Sequence, residues 1–400
     1  MPSVVNPNWR QRVDQIVDEQ FDRLVALRRH LHAHPEPSGE ELETSLHLYQ
    51  LLGDRGLTVR MGPEGRGVLV DSGHQSAAKR VGLRGDIDAL HIADGKQAAY
   101  CSTRPGVMHA CGHDAHTTCV VGAAVALDTL AREGALPNPV TWRAILQPSE
   151  ETATGAAAMV EAGAVECVDS LFALHVDPRI TTGAVGVRPG VLTAFAEMMR
   201  IEVHGRGGHA ARPHESRDPI AAAAQLLTTI YQFIPRATDS QEAVVVSFGQ
   251  VTGGDTANVI PEVVTLRGTL RTLDAAVRQR TIDHLHHLAH GVSAITGTRI
   301  EIDLEVSLPS VDNDPALTKL IAAEAHDLLG PTGVLPIARA SMGSEDFAFY
   351  GPHTPLTMFR LGCAADPPGP GLHTPAFDID ERCLAVGAKL LARAVVAASE

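Results

Sequence analysis

The order of β-rich and helical segments is the feature that most constrains how this chain folds. Short β-rich runs alternate with helical stretches up to about residue 190 and again after about residue 308. Such alternation predicts a mostly parallel sheet with helices on both faces. The middle follows the order βαββαβ, which is typical of a ferredoxin-like domain. We therefore predict an α/β fold in which residues 191–308 form a domain inserted between the two parts, 1–190 and 309–400, of the first.

Charge and composition exclude several classes of partner. The chain has 400 residues and a net charge of −14, whereas nucleic acids and anionic membranes require a basic surface. No run approaches the roughly 18 apolar residues of a membrane span, and the N-terminus has no signal-peptide pattern. Six scattered cysteines suggest no disulfide framework. These features predict a cytoplasmic protein with no nucleic-acid or membrane partner, and they do not exclude a small anionic substrate.

Three predicted strands end in residues that can bind a metal or carry a proton. These residues are Asp86 and Asp88, then Glu150 and Glu151, then His175, which ends a strand over 170–175. Open α/β sheets bind ligands outside the carboxyl ends of their strands. Each residue alone has an ordinary explanation, since such an Asp is often a helix cap and such a His is often bonded in a core. Their shared position favours a common site.

A run of residues that can bind metals, Met108–His116, lies between the first two of these strands. Cys111 alone would be a small buried hydrophobe, but Cys111 and His113 are separated by one glycine and can converge on one ion. Thiolate and imidazole suit zinc, and carboxylates add oxygen ligands. Of the adjacent glutamates, one can bind metal while the other takes a proton from water. A Cys–His nucleophile built on Cys111 and His113 remains an alternative.

Six ordered motifs carry a resemblance that covers nearly the whole chain. The chain resembles the zinc aminoacylase/carboxypeptidase family of metallopeptidases, and within it the amidohydrolase branch of hippurate hydrolases, N-acyl-amino-acid hydrolases and auxin-conjugate hydrolases. The motifs are His109–Asp114, Gln147–Glu151, Gly207–His214, Asn258–Pro261, Gly343–Phe347 and Leu372–Pro375. Six motifs in the family's order make the resemblance specific.

The resemblance implies a site with two zinc ions per subunit, for which Mn²⁺, Co²⁺ or Ni²⁺ can substitute. The implied ligands, with Cys111 bridging, are Cys111, His113, Glu151, His175 and His373. Glu150 is implied as the general base and later the acid, and Asp88 as a residue that orients a ligand. These residues make 1–190 and 309–400 the catalytic domain.

The inserted domain is implied to be a lid that dimerises and closes over substrate. His209 would reach a neighbouring subunit's site and steady the substrate carbonyl, while Asn258 and Arg271 would contact the carboxylate side of the substrate. The expected assembly is a homodimer, or a tetramer built from such dimers. The site would then be incomplete within one chain.

The implied reaction is hydrolysis of the N-acyl amide bond of an N-acyl-L-amino acid by metal-activated water, giving a carboxylic acid and a free amino acid. Activity as a dipeptidase or metal carboxypeptidase is the alternative. A protein that kept the fold but lost catalysis would lack a metal ligand or Glu150, and all of these residues are present.

Three residues depart from the family's usual pattern: Ser149, Thr152 and His91 stand where the branch usually has Ala, Gly and Pro. Because Thr152 lies near the expected mouth of the site, these departures leave the acyl preference open.

Overall fold

The computed structural model describes residues 8–72 and 79–400, and the chain divides into two compact units. The first unit is formed by the described residues up to Leu192, by Val311–Arg339 and by Asp346–Glu400, and the second by Thr193–Ser310 and Ala340–Glu345. These boundaries lie two residues from those predicted, and Ala340–Glu345 groups with the second unit although it lies far beyond residue 308 in the chain.

The described ranges contain nine α-helices. They are α1 (Trp9–Glu19), α2 (Phe21–Ala33), α3 (Leu42–Gly53), α4 (His113–Arg132), α5 (Gly155–Glu161), α6 (Pro219–Ala237), α7 (Ala275–Thr296), α8 (Pro315–Leu329) and α9 (Arg382–Ala398). Residues 9–33 form two helices that meet at Gln20. Of the helices described, none is long and apolar enough to cross a membrane.

The strands of the same ranges form two main sheets and two short ribbons. They are β1 (Thr58–Met61), β2 (Val68–Asp71), β3 (Arg80–Asp86), β4 (Thr141–Gln147), β5 (Ser170–Thr181), β6 (Val185–Val187), β7 (Gly190–Val191), β8 (Phe195–His204), β9 (Gly208–His209), β10 (Val244–Thr252), β11 (Val259–Ile260), β12 (Val263–Thr272), β13 (Arg299–Leu308), β14 (Asp312–Asn313), β15 (Val334–Pro336) and β16 (Leu356–Ala364).

The first unit is built on an eight-stranded sheet in the order β1-β2-β4-β3-β5-β16-β6-β15. Its centre, β4-β3-β5-β16, is parallel, so the carboxyl ends of these strands share one edge. Helices α1, α4 and α9 pack into one large apolar cluster with this sheet, and a second cluster covers the other face. Burial on both faces explains why β4 is a continuous buried run rather than an alternating one.

The second unit is a four-stranded antiparallel sheet in the order β10-β12-β8-β13, with α6 and α7 packed on one face. Along the chain its main elements follow the order βαββαβ. Asp218 and Asp274 cap the two helices by accepting hydrogen bonds from backbone N–H groups of the first turn. The predicted fold, a mostly parallel α/β sheet with an inserted ferredoxin-like unit, is confirmed.

One predicted strand end is wrong. The strand expected to stop at His175 continues to Thr181, because β16 pairs with it as far as Thr181. Its other neighbour, β3, pairs with it only as far as Ala173. His175 therefore lies where β5 leaves β3, and this divergence makes room for a functional side chain in the middle of a strand.

Candidate metal centre

Four segments of the first unit bring the predicted ligands to the carboxyl edge of the parallel sheet. Cys111 and His113 lie at the start of α4, Glu151 follows β4, His175 lies on β5, and His373 lies between β16 and α9. The backbone N–H of His373 donates to the carbonyl of Ala110 over 2.8 Å, which ties the last segment to the first. The structure thus places all five side chains in one region.

Gly112 allows its two neighbours to face the same point. It has a φ of 89° and precedes the first residue of α4, in the left-handed region that favours glycine. A Cβ at this position would lie 2.4 Å from Cγ2 of Val176. The Cys-Gly-His spacing is therefore required by the backbone turn and by packing against β5.

Cys111 lies between two histidines. Its Sγ is 3.5 Å from Nε2 of His175 and 3.3 Å from Nε2 of His373. Nδ1 of His175 lies 2.8 Å from the carbonyl of Val176, so it carries the ring proton and Nε2 presents a lone pair to the thiol side. Cys111 and His175 are buried, whereas His373 is half exposed. The cluster is therefore open to solvent on the His373 side.

His113 and Glu151 complete the group. Oε1 of Glu151 is 3.4 Å from Nε2 of His373 and 3.8 Å from Nε2 of His113. Nε2 of His113 is buried and has no hydrogen-bond partner among the described residues, although carboxylate oxygens of Asp86 and Glu150 also lie 3.7 and 3.9 Å away. A buried nitrogen facing three carboxylates without a hydrogen bond is an arrangement that a cation would satisfy.

The spacing of these atoms fits zinc. Zinc bonds of about 2.0–2.3 Å in a tetrahedron separate neighbouring ligand atoms by about 3.3–3.6 Å. The distances from Cys111 Sγ to the two imidazole nitrogens, 3.5 and 3.3 Å, and from Glu151 to His373, 3.4 Å, fall in or close to that range. The donor set of sulfur, nitrogen and carboxylate oxygen is also one that zinc accepts.

Asp88 holds two members of the cluster in place. Its backbone carbonyl and Oδ1 lie 2.9 and 3.0 Å from Nδ1 of His113, while Oδ2 accepts from the backbone N–H of Glu151 over 3.0 Å and from Ser38 over 2.6 Å. Burial alone would raise the pKa of Asp88, but the bond from His113 and its other bonds lower it. The ionised Asp88 fixes the proton of His113 on Nδ1 and leaves Nε2 free for metal.

Asp88→Asn should weaken metal binding while preserving the fold. The amide removes the charge that stabilises the Nδ1 proton of His113, and such outer contacts are worth about 10–100-fold in metal affinity. Competition with a coloured chelator measures the metal dissociation constant. Asp71→Asn, which alters a carboxylate paired with Arg143 on β2, is the control. Equal affinities in the two variants would contradict the role given to Asp88.

Burial argues against Cys111 as a nucleophile. It raises the pKa of the Cys111 thiol to about 12, whereas nucleophilic cysteines have lowered pKa values and partial exposure. A dication deprotonates a coordinating thiol outright. The Cys–His alternative left open by the sequence is therefore disfavoured, and ligation accounts for Cys111 better.

Glu150 lies beside the ligand cluster on a tight turn. Ser149, immediately before it, has a φ of 55°, a strained value for a residue other than glycine and one that occurs often at functional sites. The turn is held because the backbone N–H and hydroxyl of Ser149 donate to Glu41 over 2.8 and 3.0 Å. Oε1 of Glu150 accepts weakly from the backbone N–H of Asp346 over 3.4 Å. Glu150 is thus positioned separately from Glu151.

A buried polar network behind the site was not predicted. Asp86 accepts from Arg84 over 2.6 Å and from Nδ1 of His116 over 2.7 Å, while Nε2 of His116 accepts from the backbone N–H of Val176 over 2.9 Å. These bonds join the end of β3 to β5 next to His175. The sequence signal was present, since Asp86 was a strand-end candidate and His116 ends the Met108–His116 run, but no bond between the two residues was predicted.

The remaining predicted residues lie in the second unit. His209 on β9 pairs with Val259 on β11, and the carbonyl of Asn258 accepts from Ala210 over 3.1 Å, so His209 and Asn258 lie together. Nδ1 of His209 accepts from the backbone N–H of Ala211 over 3.1 Å, which leaves the ring proton on Nε2 of this exposed residue.

Arg271 lies elsewhere in the second unit, near the far end of β12. Strand β12 begins at Val263, shortly after β11. Arg271 is eight residues beyond Val263, which is about 26 Å along an extended strand. Its Nη1 donates to the carbonyl of Met342 over 3.0 Å. Within this unit, Arg271 is therefore separate from the pair His209 and Asn258.

The fold and the ligand cluster agree with the similarity of the sequence to known proteins. The profile of Peptidase family M20/M25/M40 matches residues 82–397, a span that contains all five candidate ligands. The chain belongs to this family. It is a metallo-amidohydrolase, a hydrolase that depends on bound metal.

Individual relatives cover almost the entire chain. It is 35% identical to an N-acetylcysteine deacetylase of Bacillus subtilis, with 95% of this chain and 98% of the relative aligned. It is 31% identical to thermostable carboxypeptidase 1 of Saccharolobus solfataricus, over 97% and 98%. Among solved structures, a dinuclear metal-binding peptidase of the M20 family from Bacillus subtilis matches with a TM-score of 0.82 and 32% identity, covering 96% of this chain and 99% of that one.

Proposed function

We propose that the protein hydrolyses N-acyl-L-amino acids to a carboxylic acid and a free amino acid. The observation that carries this proposal is the convergence of Cys111, His175 and His373 with His113 and Glu151 beside a second, separately held carboxylate, Glu150. The similarity to an N-acetylcysteine deacetylase supports an N-acyl amino acid as the substrate class. The similarity to a carboxypeptidase supports the alternative, cleavage of a peptide bond.

Two zinc ions held by these five ligands, with Mn²⁺, Co²⁺ or Ni²⁺ as substitutes, would supply Lewis acidity to the scissile carbonyl and to the attacking water. Glu150 takes a proton from that water as the oxygen of the water attacks the carbonyl carbon. The same carboxyl group then gives the proton to the amide nitrogen as the C–N bond breaks. The products are the acyl group as a carboxylic acid and the amino acid with a free amine.

His209 is suited to stabilise the oxygen of the attacked carbonyl, because the residue is exposed and its Nδ1 is already bonded, which leaves Nε2–H as the donor. Asn258 lies beside it and is our candidate for the carboxylate side of the substrate. Arg271 is separate from Asn258 within one copy of the unit, so its contact with the substrate carboxylate stays a prediction. We further propose that the protein is a homodimer, or a tetramer of such dimers, in which His209 of one copy serves the site of another.

Mixing two inactive variants tests whether the active site is shared between two subunits. Glu150→Gln lacks the base and His209→Ala lacks the donor, but a mixed dimer has one site with both groups intact. Equal amounts, unfolded and refolded together, should recover about a quarter of wild-type activity, because half of the dimers are mixed and each has one competent site. Separately refolded samples combined just before the assay are the control. Recovery no greater than in that control would show that each chain completes its own site.

A hydrolysis screen tests the substrate class. N-acyl amino acids that vary in acyl length and in side chain are compared with dipeptides of the same C-terminal residue, at matched metal loading. We expect kcat/KM to be higher for the N-acyl compounds by at least about tenfold, or about 1.4 kcal/mol of transition-state binding. A preference for dipeptides would establish the peptidase alternative.

A further inference from the structure

Three residues of the second unit form a cluster unrelated to the site above. Glu202 and His204 lie on β8 and Glu301 lies on β13, and one potential ligand atom from each lies within 4.8 Å of the others. Nε2 of His204 is 3.4 Å from Oε2 of Glu202 and 3.3 Å from Oε2 of Glu301. Their neighbours Ile201 and Val203 face the helices, so the cluster lies on the opposite face of the sheet.

Hydrogen bonding does not account for this arrangement. Nε2 of His204 is inaccessible to solvent and has no hydrogen-bond partner within the described ranges. The two carboxylate oxygens are near it but outside the 2.7–3.2 Å typical of N–H···O bonds. Glu202 and Glu301 are also direct partners across the two strands, where like charges destabilise a sheet. Arg200 and Arg299 compensate these charges from outside the pair, and a cation between the two oxygens that face His204 would add to that compensation.

The distances suit a zinc ion. Bonds of about 2.0–2.1 Å in a tetrahedron place nitrogen and oxygen ligands about 3.3–3.4 Å apart, and the two measured separations are 3.4 and 3.3 Å. One imidazole and two carboxylates form a three-ligand set that leaves a position for water. Arg200 pairs with Glu202 and Arg299 with Glu301, which leaves the second oxygen of each carboxylate to face His204.

We propose that Glu202, His204 and Glu301 bind a divalent transition-metal ion, with zinc as the best fit, on the inserted unit. His204 ends β8 and Glu301 lies near the start of β13, which is an edge strand of the sheet. The ion would join the end of β8 to this edge strand. Its role is to stabilise the unit, since none of its ligands belongs to the catalytic cluster.

Equilibrium dialysis of the metal-loaded enzyme against ZnCl₂, followed by elemental analysis, tests the proposal. His204→Gln and Glu301→Gln should each bind one equivalent less than wild type, with turnover unchanged. His290→Gln, which alters an exposed histidine of α7, should bind as much as wild type. Added zinc should raise the Tm of wild type more than that of His204→Gln.

The test compares the zinc content of the variants with that of wild type, so it does not depend on how many ions the catalytic cluster holds. Equal zinc content in wild type, His204→Gln and Glu301→Gln would overturn the proposal and leave the three residues as an ion-paired group. Loss of zinc from His290→Gln as well would show nonspecific binding and would also overturn it. Circular dichroism of each variant establishes that it is folded.

Discussion

Glu150→Gln is expected to abolish turnover while the enzyme keeps its metal. Glutamine has the same shape, and its amide oxygen can still accept from the backbone N–H of Asp346, as Oε1 of Glu150 does. What it loses is the ability to take a proton from water and return it to the leaving amine. General acid–base groups contribute about 10²–10⁴-fold, and this group serves both steps, so we expect the upper end of that range. Steady-state kcat and elemental analysis on one preparation measure both effects.

Glu161→Gln is the matched control for this experiment, because Glu161 ends α5 and is exposed. It should retain wild-type kcat and metal. Near-normal kcat in Glu150→Gln would refute the mechanism. Loss of metal together with activity would instead assign Glu150 to the ligand set, which its distance of 3.9 Å from Nε2 of His113 makes the main competing explanation.

Cys111→Ala is expected to cost both metal and activity. Cys111 is the group that lies between His175 and His373, so its removal leaves two imidazoles without the anion that joins them. Loss of a direct ligand should weaken metal binding by more than the roughly 100-fold effect of an outer contact. At a fixed low metal concentration, we expect activity to fall by at least about a thousandfold. Metal titration monitored by activity and by calorimetry measures this change.

Cys383→Ala is the control that distinguishes the loss of a metal ligand from the loss of a buried thiol. Cys383 is also a buried thiol, and burial also raises its pKa, but it lies on α9 and is not part of the ligand cluster. It should keep its metal even if it loses some stability. Chelator treatment of wild type should stop hydrolysis, and zinc should restore it. Activity that survives both chelation and Cys111→Ala would exclude a catalytic role for the metal held by Cys111.

The residues proposed for the site could be named from the sequence, whereas much of their surroundings could not. Cys111, His113 and Glu151 were found because ligand types recur at strand ends and within one short run, and His373 was found by resemblance. Asp86 and His116 were missed as a bonded pair, because 30 residues separate them and only the packing of α4 against β3 brings them together. The end of the strand at His175 was misplaced for a similar reason, since β16 extends β5 through a pairing distant in sequence.

The sequence by itself determined the α/β class, the inserted βαββαβ unit and most of the residues proposed for the metal centre. These depend on local periodicity and on residue type, which are properties of neighbouring residues. Only the tertiary structure decided which nitrogen of each histidine faces the centre, that Glu150 is held apart from Glu151, and that His204 lies between two glutamates. Each of these depends on hydrogen bonds and strand register that join segments far apart in the chain. The physical reason is that proton positions and ligand spacing follow from packing, which residue order alone does not specify.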